Sequence, residues 1–241
     1  CGESSWPPIS SSLRTLVLRF CTLSDLPALR CALPSLSLLE VQCMDIVAQE
    51  DGSGIARVLH ELVGITLKCR TLDFSVVDPT DENEHSCDGL LYALSSSMCI
   101  PGGVVRLWFK CMTFKPQHFA RFAALFPTVQ NIFLVRCSFG PERLVECVQE
   151  FSQLTGIDIF LKHDNRGEDD VVSFFEGILD ACSAIEVMRK GCNQGLSLCF
   201  RDTGLTSKTT LATLKRMHAI WKECFGWNYD WRKLTVIVCE H

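Results

Sequence analysis

Apolar residues recur along this chain in an eleven-residue figure. Places 1, 4, 6 and 11 are apolar, and place 9 is Cys or Met. The figure is complete at Val129, Ile132, Leu134, Cys137 and Phe139, and again at Leu13, Leu16, Leu18, Cys21 and Leu23. Two further copies carry Met at place 9: Leu36, Leu39, Val41, Met44 and Ile46, then Val104, Leu107, Phe109, Met112 and Phe114. Alternate residues of a strand face opposite ways, so places 4 and 6 predict a short strand with one buried side. Place 9 predicts a tight turn packed between neighbouring copies, where a thiol or thioether fills apolar space.

Between these strands the apolar spacing changes to i, i+3, i+4, i+7, which predicts helices. One stripe is Ile55, Val58, Leu59, Leu62 and Val63. Phe119, Phe122, Ala123 and Phe126 form another, between Pro116 and Pro127. Leu144, Cys147, Val148 and Phe151 follow Pro141. Val171, Phe174, Phe175, Ile178, Leu179 and Cys182 follow an acidic run, which suits a helix N-terminus. A long helix is expected over roughly 207–225, ending at Gly226. Degenerate strand copies are expected at 69–77, 154–161, 195–200 and 233–239. Pro34 and Pro127 each stand two residues before a new copy, a second sign of repetition.

The figure is the leucine-rich-repeat template, L-x-x-L-x-L-x-x-N/C-x-L. Strand–helix alternation with short connections implies parallel strands. The expected fold is therefore α/β: a leucine-rich-repeat solenoid of about eight irregular repeats. A curved parallel sheet would line its concave side and helices its convex side. Anchors at Leu16, Leu39, Leu72, Leu107, Ile132, Ile157, Leu196 and Leu234 lie between 23 and 39 residues apart. The long gaps call for insertions, at 78–85 and 163–170. Residues 1–12 read as a Pro/Ser-rich lead-in, and 13–241 as a single leucine-rich-repeat domain.

Places 3, 5 and 7 should point away from the helices. They give Arg106, Trp108 and Lys110 on one strand, then Asn131, Phe133 and Val135 with Arg136 beside them, then Gly156, Asp158 and Phe160. Asp73 comes from the strand before. Trp108, Phe133 and Phe160 would make an aromatic stripe flanked by charge, which is the usual content of a protein-binding hot spot. The partner-binding candidates are thus Asp73, Arg106, Trp108, Lys110, Phe133, Arg136, Asp158 and Phe160.

Composition narrows the partner. A net charge of −5 argues against a general nucleic-acid binder, which usually has a basic face. No apolar run reaches the roughly 18 residues of a membrane span. The start, CGESSWPPISSS, lacks signal-peptide blocks and a first Met, so an excerpt of a longer chain is expected. Fifteen cysteines with no C-x-x-C pair suit free thiols in a reducing compartment, cytoplasmic or nuclear.

Catalytic and phosphate-binding motifs such as G-x-S-x-G, G-x-x-x-x-G-K-[ST], H-E-x-x-H and G-x-G-x-x-G do not occur. His85 with Cys87, and Cys239 with His241, lack a second ligand pair at zinc-site spacing, so no metal is expected. Asp164, Asp169 and Asp170 read as a solvated acidic loop and helix start. No small-molecule cofactor is implied.

The first forty residues carry a more specific likeness. Cys21-Thr22 ends the first strand, Cys31-Ala32-Leu33-Pro34 ends the following helix, and a strand comes next. This resembles the leucine-rich part of fungal F-box-type proteins, as does the segment 211–227 followed by Lys233-Leu234-Thr235-Val236. The resemblance implies an upstream F-box that docks a cullin-type ubiquitin ligase, with this region as substrate receptor. No F-box is visible in the sequence itself. The expected function is a protein-binding module. The alternatives are an α/β enzyme on a doubly wound sheet, which would need a reversal in strand order, and a structural domain with both faces covered.

Overall fold

Each expected strand pairs with the next one along the chain. The structure is a computed structural model that describes residues 13–48, 53–76, 85–97, 99–160, 177, 180–181, 184–185, 196–201 and 234–239. The strands are β1 (Thr15–Thr22), β2 (Leu38–Ala48), β3 (Thr66–Val76), β4 (His85–Ser86), β5 (Arg106–Lys110), β6 (Met112–Thr113), β7 (Asn131–Val135), β8 (Gly156–Phe160), β9 (Leu196–Arg201) and β10 (Leu234–Cys239). Eight of them form one sheet in the order β1-β2-β3-β5-β7-β8-β9-β10, parallel throughout. The order follows the chain with no reversal, so the crevice of a doubly wound sheet is not present in it.

The helices α1 (Leu26–Ala32), α2 (Ser53–Glu61), α3 (Asp88–Ser95), α4 (His118–Leu125) and α5 (Pro141–Glu150) pack in sequence, each against the next. Their apolar stripes share one core with places 4 and 6 of the strands. Phe109 is fully buried at its centre. Its ring lies 5.4 Å from Phe74 and meets Phe114 and Phe122 edge-on at 5.1 and 4.8 Å. Phe119, Phe122, Ala123 and Phe126 of the second stripe are all buried, as are Leu144, Cys147, Val148 and Phe151. Val63 departs from its expected stripe. Helix α2 stops at Glu61, the chain turns through Gly64 at φ +91°, and Val63 is left exposed. Helix α3 had no expected counterpart. The stripe at 171–182 and the helix at 207–225 lie outside the described residues, apart from Gly177, Asp180 and Ala181 of the former, which are helical.

Pairing puts equal template places side by side. Leu16 pairs with Leu39, and Leu107 with Ile132 and then Ile157. β3 departs from the expected register and explains the long gap before it. Leu39 pairs with Leu67, and Val41 with Cys69, while Met44 and Ile46 pair with Leu72 and Phe74. A fifth copy of the figure therefore runs from Gly64 through Leu67, Cys69, Leu72 and Phe74. On its other side β3 changes frame, because Leu72 and Phe74 pair with Leu107 and Phe109, which are places 4 and 6 of the next copy. One strand thus serves two repeats slipped by five residues. At the far end Ile157 pairs with Leu198, and Leu198 with Val236, so the anchors there are these residues and not Leu196 and Leu234.

The turn at place 9 also differs between halves. In β1, β2 and β3 the strand runs straight through it. After β5 and β7 the chain breaks one residue earlier, at Cys111 (φ +56°) and Arg136 (φ +53°), both left-handed. The backbone then resumes as a second small ladder. His85 pairs with Met112, Ser86 with Thr113, and Thr113 with Ser138. His85–Ser86 is thus a strand in this ladder and not part of a surface loop. The rest of that insertion, 78–84, lies outside the described residues, as does 163–170.

The thiols follow this packing. Ten cysteines among the described residues are free, from Cys21 to Cys199. Cys21 is buried at place 9, and burial pushes its thiol up to about 11. Cys137 is half-buried as a residue, but its Sγ–H reaches the Phe109 carbonyl at 3.2 Å, and burial pushes the thiol up to about 12. Burial pushes Cys69 to about 12 as well. Thiolates are the reactive form, so mild alkylation of the native protein at pH 8 should spare these three and modify exposed Cys31 first. Peptide mapping checks this, and rapid labelling of Cys21 or Cys137 would contradict the register.

Candidate functional site

The sheet side opposite the core is where places 3, 5 and 7 emerge. Trp108 in β5, Phe133 in β7 and Phe160 in β8 are all half-buried there, while their strand neighbours Leu107, Phe109, Ile132, Leu134 and Ile159 are almost fully buried. Trp108 and Phe133 are cross-strand partners and stack at 4.0 Å with their planes 6° apart. Phe160 pairs with Val135, two residues further along, yet its ring comes within 6.3 Å of Trp108. The three rings form a continuous platform. Such stacking contributes about 0.5–1.5 kcal/mol per pair beyond area burial.

Asp73 adjoins the platform as the strand partner of Trp108. Lys110 Nζ donates to its Oδ2 at 2.6 Å. Burial raises the Asp73 carboxyl above its ordinary value, and the Lys110 hydrogen bond and charge offset only part of that rise. Asp158 pairs with Phe133 and is half-buried. Arg106 opens β5, exposed, between Thr71 and Asn131. Arg136 is also exposed, in the left-handed turn after β7, where its backbone N–H donates to the Phe160 carbonyl at 2.8 Å. The structure therefore gathers Asp73, Trp108, Lys110, Phe133 and Phe160 into one group. Asp158 sits at the platform's edge. Arg106 and Arg136 flank it.

Gly156 keeps the platform's N-terminal side low. A Cβ there would fall 2.7 Å from Asn131 Nδ2. Two further residues on this side, Cys43 and Asp45, escaped the sequence reading because they lie at places 8 and 10, not at 3, 5 or 7. Cys43 and Asp45 of β2 are half-buried, and Asp45 pairs with Asp73. Ser75 of β3 donates to Asp45 Oδ1 at 3.4 Å. Burial raises the Cys43 thiol, and the charges of Asp73 and Asp45 raise it further, which keeps it neutral.

A second polar cluster runs from the core's edge to the surface and holds helices together. His118 is 3% exposed. Its Nδ1 accepts the Lys115 backbone N–H at 3.2 Å, which leaves Nε2 to carry the proton and donate to Asp88 Oδ1 at 2.9 Å. Lys115 Nζ meets the other Asp88 oxygen at 2.7 Å. The cluster ties the start of α4 to the start of α3, so its bonds are spent on structure. Among the described residues no group of His, Cys, Asp or Glu is arranged to hold a metal ion, and no helix is long and apolar enough to cross a membrane.

No protein-family model matches the sequence, and comparison with curated proteins returns no match.

Proposed function

We propose that this chain is a leucine-rich-repeat solenoid whose open sheet face binds a protein partner. In its parent protein it would be the substrate-recognition part of an F-box-type ubiquitin ligase adaptor. The observation that carries the binding reading is the Trp108–Phe133–Phe160 platform, rimmed by Asp73, Lys110, Asp158, Arg106 and Arg136. Large aromatic rings left half-exposed beside charges are costly to keep in water and are the residues that contribute most at interfaces. Support for the repeat reading comes from the chain-ordered parallel sheet and the side-by-side template places. The free thiols fit a reducing compartment, cytoplasm or nucleus. The ligase role rests on the motifs of the first forty residues.

The test is a pull-down with the tagged parent protein, wild type against Trp108→Ala. The specific partners captured by the wild type should be lost from the variant, and a cullin-type scaffold should be retained by both. Undiminished capture by Trp108→Ala would overturn the binding face. Absence of any cullin-type scaffold from the wild-type sample would overturn the ligase role alone.

A further inference from the structure

Two carboxylates lead in register to the stacked rings: Asp45 in β2, Asp73 in β3, then Trp108 and Phe133. Among the described residues one ammonium, that of Lys110, answers them, and it is committed to Asp73 Oδ2. Asp73 Oδ1 is buried and has no hydrogen-bond partner among the described residues. A buried acceptor left without a donor costs about 1–3 kcal/mol. Among the described residues Asp45 receives only the Ser75 hydroxyl, at the long distance of 3.4 Å. The other groups facing this edge do not balance it. Cys43 is a neutral thiol, and Arg106, one row back and exposed, makes no ion pair with either carboxylate among the described residues. The edge therefore carries one net negative charge, an unused acceptor and a ring system, side by side.

We propose that the partner segment received by this face presents an arginine side chain to the acidic edge of the platform, donating to Asp45 and Asp73 and lying against Trp108. This rests on the protein-binding reading above and adds the chemistry of the bound residue. A guanidinium suits the site better than an ammonium. Its planar fork offers several donors to two carboxylates at once, and its flat face stacks on an aromatic ring. A neutral apolar side chain would cover the rings and leave the Asp45 carboxylate without a counter-charge.

The probe is N-acetyl-arginine-N-methylamide, titrated into the full chain while the Trp108 indole N–H is followed by NMR. The control is the same molecule built on citrulline, which keeps the shape and loses the charge. The arginine probe should give a saturable shift in the millimolar range, weakened by salt as the Debye length shortens. The citrulline probe should give none. Asp45→Asn should weaken the arginine probe about fivefold, as for a partly exposed ion pair. Asp45 holds no ion pair of its own among the described residues, so that variant should fold normally. Asp73→Asn, which strips Lys110 of its partner, serves as a second variant with the same expected direction.

Equal shifts from both probes, no saturable shift from arginine, or wild-type affinity in both variants would each overturn the proposal. If the arginine probe fails while Trp108→Ala still abolishes partner capture, the binding face stands and the arginine assignment falls. If Trp108→Ala leaves capture intact, the reading beneath it falls as well.

Discussion

Phe109→Ala should lower the stability of the protein by about 3–5 kcal/mol, the upper end of what one core substitution does. The ring is fully buried and lies among four others: Phe74, Phe114 and Phe122 touch it directly, and Phe126 closes the group through Phe74. These rings come from β3, from the segment after β6, from α4 and from its C-terminal cap. None can move into the space without leaving its own contacts, because interiors are packed nearly as densely as organic crystals. The lost edge-on contacts add to the lost burial. A denaturant titration reads the effect as a fall in midpoint at unchanged slope. Phe109→Leu keeps much of the volume and should recover a good part of the loss. An alanine variant with a wild-type midpoint would mean that Phe109 is not the packing centre.

Leu134→Ala should cost about 2–5 kcal/mol by the same mechanism. Leu134 is 1% exposed at place 6 of the most regular copy, paired with Phe109 on one side and Ile159 on the other. A cavity there lies beneath the middle of the sheet. Net stability of a domain is only about 5–15 kcal/mol, so the loss is a large fraction of it. Successive helices touch chiefly their neighbours, so hydrogen exchange should accelerate in β5, β7, β8, α4 and α5 before it does in β1 and α1. Uniform acceleration along the chain would show a single cooperative unit instead.

Much of the sheet could be read from the sequence because its repeats bury the same places with bulky apolar residues. Leu16, Leu39, Leu107, Ile132 and Ile157 were all placed at their strands. The copy from Gly64 to Phe74 was missed for a physical reason. Gly64 fills an apolar place, a thiol at Cys69 does the work of Leu, and Leu72 serves two frames, so pattern matching settled on the second. Helix α3 was missed because the run Leu90, Leu91, Ala93 and Leu94 is short and buried over a wide arc, with weak periodicity. The ladder through His85, Met112 and Ser138 depends on left-handed turns at Cys111 and Arg136, which no composition signal marks in residues other than glycine.

The candidate site was partly legible. Alternation along β5, β7 and β8 put Trp108, Phe133 and Phe160 on one side, and their rings do meet. Alternation could not show that Arg106 and Arg136 stand apart, since both have long, exposed side chains. Asp45 and Cys43 lie past the shift in alternation within β2. Val41 and Met44 both face the core, so the two residues between them, and then Asp45, fall outside a simple odd-and-even count.

The claim that the platform exists to bind, and not to hold the fold, is tested most directly by the unfolding midpoint of Trp108→Ala measured beside that of Leu134→Ala. Trp108 is half-buried, so its truncation leaves no closed cavity, and the loss of its stacking on Phe133 and Phe160 should cost less than the loss at Leu134. A midpoint clearly above that of Leu134→Ala is the predicted result. A midpoint as low as that of Leu134→Ala would make Trp108 a core residue and remove the binding face with it.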